Sequence, residues 1–357
     1  MTSLKKPDKE RLIAALTGEI PDRVPNWEVA IEAEVVKEIL GRDAGSTLAG
    51  SRGASDEVYF QPPMNPFDYI EICKKVGQDV IGFEALWTPL KYEDENGDIH
   101  IVTDGRITSF DELDKVIKPN WEMDYKPRKK YFDEYKEATA ETNIGFFIVT
   151  GAIFQCSYQF LCEFNQFLTM MHSNLEFVEA LMDECVKYYQ KIIELAIDAG
   201  ATFICIGDDI AFKSGTFISP EMLKEVWLPR INKLIKPIKE AGIPVMFHSC
   251  GNITDIMDDI IMNMNIDCLN PIEPYSNDIF KFKEKYGDEI TLSGNIDIAG
   301  PLAFGSEEEV KEEVKEHLER LMTGGRYILS TNHSIMNDIP YENYMAMLEV
   351  LFDHGIY

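Results

Sequence analysis

Two potential metal ligands, His248 and Cys250, follow a short apolar run in the second half of the chain. The run Val245-Met246-Phe247 has the composition of a buried strand, and alternate side chains of a strand point to the same face. His248 and Cys250 are therefore expected to leave one strand end side by side, as ligands in a zinc site do. Gly251 then permits a turn, and a helix is predicted over 254–264. The alternative is that His248 bonds a backbone group and Cys250 is simply a small buried residue.

The elements that would position this pair alternate regularly between short apolar strands and amphipathic helices. Such alternation predicts a parallel sheet in an α/β fold. Eight strand–helix units favour a closed (β/α)8 TIM barrel; a doubly wound open sheet is the alternative, but no glycine-rich phosphate loop follows any strand. The predicted strands cover residues 24–29, 79–85, 145–150, 201–207, 243–248, 267–271, 290–294 and 326–330.

We predict a single domain over residues 1–357, with two additions to the barrel. A helical extension over residues 7–17 precedes the first strand. An insertion over residues 91–143 begins with a β-hairpin, whose turn is Glu95-Asn96-Gly97-Asp98. Residues 43–66 are rich in Gly, Ser and Pro, and a loop of that length in a compact domain is often functional.

Side chains able to bind or transfer protons gather at the ends of the predicted strands. In a barrel of this type the active site lies at the carboxyl ends of the strands. Each candidate has a structural alternative: an Asp can cap the next turn, a Glu can be a solvated rim residue, and a Trp can pack the barrel. The candidates are Trp27, Glu28, Glu84, Trp87, Thr150, Asp208, Asp209, His248, Cys250, Asn270, Glu273, Asn295, Asp297 and His333.

Composition and charge exclude several classes of partner. The net charge of −28 opposes binding to nucleic acid and to anionic membrane surfaces. Seven cysteines without a CxxC spacing indicate a reducing, cytoplasmic protein rather than a disulfide framework. The first residues lack an apolar signal segment, and no apolar run approaches the ~20 residues of a membrane span.

A set of short motifs, densest after residue 200, resembles the uroporphyrinogen decarboxylase superfamily and within it the corrinoid-dependent methyltransferase branch. The resemblance covers roughly residues 20–355 and implies a (β/α)8 barrel. Decarboxylases of this family carry an Arg-rich N-terminal motif for porphyrin carboxylates, whereas the stretch Pro25-Asn26-Trp27-Glu28-Val29 has no arginine beyond the preceding Arg23. The motifs are Asp208-Asp209, Ile218-Ser219-Pro220-Glu221, Pro229-Arg230, His248-Ser249-Cys250-Gly251-Asn252, Asp267-Cys268-Leu269-Asn270-Pro271, Gly294-Asn295-Ile296-Asp297, His333 and Pro340-Tyr341-Glu342-Asn343.

The resemblance implies a zinc site. Methylcobamide:coenzyme M methyltransferases of this branch bind zinc through a His-x-Cys pair and a later Cys, and the later position corresponds here to His333. A set of His248, Cys250 and His333 contains one thiolate instead of two. The zinc would therefore be a stronger Lewis acid than in the coenzyme M methyltransferases and better suited to an oxygen ligand. This favours the O-demethylase components, which pass a methyl group from a phenyl methyl ether to cob(I)alamin on a separate corrinoid protein.

In this hypothesis the remaining candidates serve the zinc and the substrate. Asp208, Asp209 or Glu84 would complete the metal shell, orient a ligand or supply a proton. The residues expected to line the substrate pocket are Trp27, Glu28, Trp87, Phe154, Tyr158, Asn270 and Asn295. The resemblance also implies that homodimers are possible.

Three alternatives stay open at this point. The first is methyl transfer from a methyl-corrinoid to a thiol, which His333 disfavours. The second is a metal-free decarboxylase acting on a porphyrin-like tetrapyrrole, which the missing Arg motif and the acidic charge disfavour. The third is a binding scaffold for a corrinoid protein without catalysis.

Overall fold

The computed structural model describes residues 5–48, 62–87, 91–93, 99–101, 107–114 and 118–357. Its centre is a parallel sheet of seven strands, β1-β4-β5-β8-β9-β10-β11, curled as part of a barrel. Two small antiparallel pairs, β2–β3 and β6–β7, stand outside the sheet. The strands are β1 Val80–Glu84, β2 Lys91–Glu93, β3 Ile99–Ile101, β4 Gly145–Gly151, β5 Phe203–Gly207, β6 Ala211–Phe212, β7 Gly215–Thr216, β8 Val245–His248, β9 Cys268–Asn270, β10 Thr291–Ser293 and β11 Tyr327–Ile328.

The eighth position of the barrel is filled by the extended segment 24–29. This segment meets the end of β11 through a bridge between Asn26 and Leu329. On its other side it contacts the residues just before β1, where the Glu28 N–H donates to the Gln78 Oε1 at 3.2 Å and the Asn26 Nδ2 donates to the Val76 carbonyl at 3.3 Å. The predicted first strand is therefore present as an extended segment with isolated bridges rather than as a ladder of hydrogen bonds.

The core has two layers, as expected for strands that are apolar on both faces. Inside the barrel, Trp27 meets Phe147 and Phe203 edge-on, with ring centroids 5.4 and 5.7 Å apart. Outside, a larger apolar cluster fills the space between the sheet and the surrounding helices. The barrel interior is therefore a packed core at this level and leaves space for a site only at the strand ends.

Fourteen α-helices among the described residues surround the sheet, several with wider or tighter turns beside them. π-Helical turns occupy Trp121–Tyr125, Ser157–Leu161 and Leu223–Trp227, and 3₁₀ turns occupy Thr254–Ile256 and Ile261–Met264. The helices are α1 Lys9–Thr17, α2 Ala33–Leu40, α3 Pro66–Val76, α4 Phe110–Leu113, α5 Lys126–Thr139, α6 Ile153–Cys156, α7 Phe164–Ser173, α8 Leu175–Ala199, α9 Pro220–Met222, α10 Leu228–Glu240, α11 Ile279–Tyr286, α12 Pro301–Phe304, α13 Glu307–Leu321 and α14 Tyr341–His354. Among the described residues, none of the helices is both long and apolar enough to cross a membrane.

The α/β barrel class is confirmed, together with the N-terminal helix and the hairpin β2–β3. The helix predicted over 254–264 is wrong, because the chain forms two 3₁₀ turns there. The N–H of Ile253 and the hydroxyl of Thr254 are bonded to Asn277 of the following loop, which holds the start of this segment outside a regular helix. Residues 49–61 of the predicted loop and the hairpin turn 94–98 lie outside the described residues. The single-domain prediction and the bounds 91–143 of the insertion stay predictions.

The N-terminal helix α1 is fixed to the opposite end of the barrel by a buried ion pair. Asp79, just before β1, accepts a hydrogen bond from Arg11 of α1 at 2.7 Å and one from the N–H of Asp8 at 2.8 Å. Burial raises the pKa of Asp79 to about 6, although Arg23 and Arg11 oppose this shift. The extension therefore stabilises the barrel at the end remote from the strand carboxyl termini.

Candidate metal centre and cavity

The carboxyl ends of β5 and β8 bring the main candidate ligands to one edge of the sheet. Gly207 and His248 are paired in register on these two parallel neighbours. Asp209 follows β5 by two residues, and Cys250 follows β8 by two residues. Because parallel neighbours end at the same edge, both residues emerge beside the ring of His248.

Asp209, His248 and Cys250 form a compact group of half-buried side chains. One donor atom from each lies within 4.8 Å of the other two. The Cys250 Sγ is 3.7 Å from the His248 Nε2. The Asp209 Oδ1 accepts a hydrogen bond from the Cys250 N–H at 2.8 Å, which fixes the carboxylate beside the thiol. The group is thus positioned by the backbone as well as by the side chains.

Asn270 fixes the orientation of the His248 ring. Its Oδ1 lies 2.6 Å from the His248 Nδ1, while its Nδ2 donates to the carbonyl and hydroxyl of Ser293 at 3.3 and 3.1 Å. Since the amide oxygen faces the ring, Nδ1 carries the proton and donates it. Nε2 then presents its lone pair towards Cys250, which is the arrangement that metal-binding histidines use.

The donor set fits zinc. Zinc accepts nitrogen, sulfur and oxygen ligands in tetrahedral geometry, and catalytic sites use three protein ligands with a fourth position left for substrate. Asp209, His248 and Cys250 supply one donor of each kind. His333 lines the same cavity, but its ring nitrogens lie outside this compact group. Its role as a ligand stays a prediction.

Gly251 permits the sharp turn that aims Cys250. Its φ of +85° lies in the left-handed region, and a Cβ there would lie 2.4 Å from the carbonyl oxygen of Ala211. Its N–H donates to the Glu273 Oε2 at 2.9 Å, and its carbonyl accepts from Asn277 at 2.9 Å. Glu273 and Asn277 therefore clamp the peptide next to the candidate ligand.

Asp208, the other predicted acid after β5, is fully buried and does not line the cavity. Its carboxylate accepts from the N–H groups of Phe154 and Gln155 at 3.1 and 2.7 Å and from the indole of Trp227 at 2.7 Å. Burial raises the pKa of Asp208 to about 7, and these hydrogen bonds oppose the shift. The Asp208 carboxylate therefore satisfies the backbone N–H groups at the start of α6.

A cavity of about 460 Å³ opens beside the three candidate ligands. Its lining combines two acids, two histidines and small polar groups with several apolar side chains. Volumes of roughly 300–1,000 Å³ are typical of small-molecule sites. The lining residues are Val29, Leu48, Glu84, Leu86, Val149, Thr150, Gly151, Ala152, Gln155, Cys156, Gln159, Phe160, Tyr189, Gly207, Asp209, His248, Cys250, His333 and Ser334.

Six of the strand-end candidates therefore share one cavity: Glu84, Thr150, Asp209, His248, Cys250 and His333. The aromatic residues predicted to wall the pocket lie elsewhere. Trp27 belongs to the barrel core, and Trp87 stacks on Tyr188 at 5.4 Å. Phe154 and Tyr158 pack with neighbouring aromatic rings, and the Tyr158 hydroxyl donates to the Asp209 carbonyl at 3.4 Å.

The three predicted polar substrate contacts are also absent from the cavity lining. Glu28 is buried and accepts from the hydroxyl of Thr331 at 2.6 Å. Asn270 acts on His248, as described above. The Asn295 Oδ1 lies 3.0 Å from the Nε2 of His317. A direct substrate contact by these residues stays a prediction.

Several lining residues were not predicted from the sequence. Gln155 lies between the two acids, since its N–H donates to Asp208 and its Nε2 donates to Asp209 at 3.4 Å. Gln159 and Tyr189 line the cavity as well. Two glutamines four positions apart in the mostly apolar stretch 153–161 are a signal that could have identified this wall.

The fold and the site together define a parallel α/β barrel with a His-Cys-Asp group at the carboxyl ends of its strands. The chain belongs to the uroporphyrinogen decarboxylase (URO-D) family, which it matches over residues 77–354. It is 27% identical over 177 residues to a uroporphyrinogen decarboxylase from Sulfurimonas denitrificans, covering 49% of this chain and 48% of that protein. It is 28% identical over 178 residues to the methylcobamide:CoM methyltransferase MtbA from Methanosarcina acetivorans, again covering 49% and 48%.

The alignments with these curated relatives span about half of their length. A solved structure described as a methyltransferase from Methanosarcina mazei is similar over nearly the whole fold. Its TM-score is 0.72 at 18% identity, with 97% of this chain and 98% of that chain covered. At this identity the likeness establishes the fold alone.

Proposed function

We propose that this chain is a zinc-dependent methyltransferase that moves a methyl group from a methoxylated, aromatic substrate to cob(I)alamin on a separate corrinoid protein. The observation that carries the proposal is the group of Asp209, His248 and Cys250, whose donor atoms meet within 4.8 Å beside a cavity of small-molecule size. The similarity to a methylcobamide:CoM methyltransferase supports methyl transfer with a corrinoid.

Asp209, His248 and Cys250 would hold zinc, and His333 is the candidate for a further ligand. Bound zinc supplies Lewis acidity, which makes an ether oxygen a better leaving group. Asn270 holds the tautomer of His248 that leaves Nε2 available. The Cys250 N–H holds the carboxylate of Asp209 in place, so the site is arranged before a ligand arrives.

The proposed reaction breaks the bond between the methyl carbon and the ether oxygen and forms a bond between the methyl carbon and cobalt. The electron pair for the new bond comes from cob(I)alamin, and the pair of the broken bond leaves with the oxygen. The phenolate takes up one proton. Glu84 is our candidate to deliver it, because its side chain lines the cavity. Asp208 is fully buried and outside the lining, so we assign it a positioning role.

The size of the cavity supports a corrinoid that arrives on another protein. About 460 Å³ accommodates a small aromatic ether but not a corrin ring with its substituents. The net charge of −28 would favour a partner with a basic face. Cob(I)alamin requires reducing conditions, which supports a cytoplasmic location as part of the proposal.

A second candidate is methyl transfer from a methyl-corrinoid to a thiol, which the name of the Methanosarcina acetivorans relative favours. The compact group contains one thiol, one carboxylate and one imidazole. A single thiolate leaves zinc more acidic towards oxygen than a site with two thiolates. We therefore prefer the ether as methyl donor.

The test compares both reactions in zinc-loaded protein. Cob(I)alamin is mixed with 2-methoxyphenol in one assay, and methylcobalamin is mixed with 2-mercaptoethanol in the other, with the cobalamin spectrum as the readout. We expect methylcobalamin to form in the first assay, and His248→Ala and Cys250→Ser to abolish both zinc binding and turnover. His172→Ala, an exposed histidine of α7, is the matched control.

Turnover in the second assay alone would replace the ether by the thiol function. Stoichiometric zinc with turnover in neither assay, including assays with other methoxyaromatics, would reject both. Unchanged zinc affinity in His333→Ala would remove His333 from the metal shell. Zinc content is measured by atomic absorption in each variant.

A further inference from the structure

A row of residues in register crosses the sheet at the level of His248. Gly151 of β4 pairs with Gly207 of β5, Gly207 pairs with His248 of β8, and His248 pairs with Asn270 of β9. Residues in register on parallel strands point to the same face. Gly151, Gly207 and His248 all line the cavity, so one bare backbone position lies beside the candidate metal ligand and a second lies one strand further away.

Nothing in the protein itself requires glycine at position 207. Its φ is outside the left-handed region, so other residues can adopt this backbone. A Cβ built there would lie 3.5 Å from the Thr150 carbonyl oxygen and 4.0 Å from the Val149 Cγ1, which are ordinary contacts. The space that the missing side chain leaves therefore belongs to the cavity and not to the packing of the barrel.

Gly151 differs from Gly207 in this respect. A Cβ at Gly151 would lie 2.5 Å from the Tyr189 hydroxyl and 2.6 Å from the Leu86 Cδ2, so close packing explains this glycine. Tyr189 and Leu86 also line the cavity. The backbone of Gly207 is thus the floor of a slot, with His248 on one side and Tyr189 and Leu86 on the other. Neighbouring strands are ~4.8 Å apart, and Gly207 lies on the strand between the two walls. The walls are therefore ~10 Å apart between strand centres, which leaves room for about one aromatic ring between their side chains.

We propose that Gly207 is a specificity-determining residue, and that the group bonded to the reacting atom of the substrate lies flat over its backbone. The slot selects a planar ring next to the reacting atom, because a ring fills the space between His248 and Tyr189. A side chain at position 207 would occupy that space while leaving room for a small ligand at the metal. This inference rests on the proposed function for the identity of the reacting atom.

The test uses Co²⁺-loaded protein, in which the visible spectrum of the metal reports directly on ligand binding. The probes are imidazole and the wider, planar benzimidazole, titrated into the wild type, Gly207→Ala and Gly207→Val. We expect Gly207→Val to weaken benzimidazole binding at least ~10-fold, as added bulk in a tight pocket does. Imidazole binding, Co²⁺ content and the unfolding temperature should stay close to those of the wild type. Gly151→Ala is the contrasting variant and should lower the unfolding temperature through its clash with Tyr189.

The outcomes separate this inference from the proposed function. A selective loss of benzimidazole supports the slot even if 2-methoxyphenol is not turned over. An equal loss of both probes, or no loss of either, overturns the role of Gly207. If Gly207→Val fails to fold, Gly207→Ala decides, because its Cβ makes only ordinary contacts. Failure of the wild type to bind Co²⁺ overturns the metal site and this inference with it.

Discussion

His248 can act as a ligand because a neutral amide holds its other nitrogen. The Asn270 Oδ1 lies 2.6 Å from Nδ1, and the Asn270 Nδ2 is in turn bonded to Ser293 on β10. The orientation of one imidazole is therefore set across three neighbouring strands. The pair His248 and Cys250 could be predicted from the sequence, because strand alternation fixes their common direction. The contribution of Asn270 could not, because it depends on which strand lies beside β8.

Replacing Asn270 by alanine should weaken zinc binding about 10–100-fold, the usual effect of removing a group that orients a metal ligand. Without the acceptor at Nδ1, the ring is free to rotate and to adopt the other tautomer. Competition with a chromophoric chelator measures the affinity. Asn343→Ala, which removes a buried amide bonded to backbone near α12, is the control and should lower stability without changing zinc affinity. Equal zinc affinity in both variants would contradict the assigned role.

Glu28 should make the free energy of unfolding depend on pH. Burial raises its pKa to about 8 in the folded protein, although bonds from Thr331 oppose the shift. The unfolded chain releases this proton near pH 4.5, so the folded state binds more protons between these values. Its contribution to stability is therefore full below pH 4.5 and is lost as the pH rises through about 8.

Glu28→Gln should flatten this dependence, because the amide does not titrate. Urea unfolding of the wild type and the variant between pH 5 and about 8.5 measures the difference, with the exposed Glu225→Gln as the control. If the free energy of unfolding changes with pH in the same way for the wild type and for Glu28→Gln, the pKa of Glu28 does not change on unfolding, and this prediction is wrong.

At the scale of elements, the site depends on loops that the sequence pattern describes poorly. Short apolar runs predicted the seven laddered strands to within a few residues, because buried parallel strands are continuous apolar segments. The spacing of the Ile and Met residues over 254–264 predicted a helix, but the same spacing also suits 3₁₀ turns. Trp27 and Trp87 were predicted at the pocket for a similar reason: position at a strand end does not distinguish an inward core residue from a lining residue.

Gly251→Ala should reduce both stability and zinc affinity. The left-handed φ would strain any other residue, and the new Cβ would lie 2.4 Å from the Ala211 carbonyl, which forces the peptide beside Cys250 to move. Gly242→Ala is the matched control, because Gly242 has a φ of +74° with nothing within 4 Å of its Cβ position. Both variants should lose about 1–2 kcal/mol of stability from backbone strain. Only Gly251→Ala should lose zinc; equal zinc affinity would show that the turn does not position Cys250.

At the scale of the whole molecule, the two ends of the barrel have separate tasks. The carboxyl ends of the strands carry the cavity, and the other end carries α1 and the buried Arg11–Asp79 pair. The strongly acidic composition is evident from the sequence, and it opposes binding to nucleic acid and to anionic membrane surfaces. A corrinoid protein and a possible homodimer stay predictions, because neither is a property of one chain.

Replacing Arg11 by leucine should lower the free energy of unfolding by about 3–5 kcal/mol, the usual effect of breaking a buried ion pair. Asp79 would lose its 2.7 Å partner and remain buried beside Arg23. Zinc affinity of the folded variant should not change. Arg42→Leu, which breaks an exposed pair with Asp68, is the control and should cost at most about 1 kcal/mol in urea unfolding. A similar loss in both variants would contradict the importance of burial.

The seam between segment 24–29 and β11 has a consequence for how the chain is made. Glu28 and Thr331, which bond across it, are 303 positions apart. During synthesis, segment 24–29 has no partner for this contact until almost the entire remaining chain has left the ribosome. The seam is therefore among the last contacts to form, with those between residues 22–24 and 355–357. With isolated bridges instead of a ladder, it is also expected to open early. Amide hydrogen exchange should be faster at Trp27 and Leu329 than along β4 and β5.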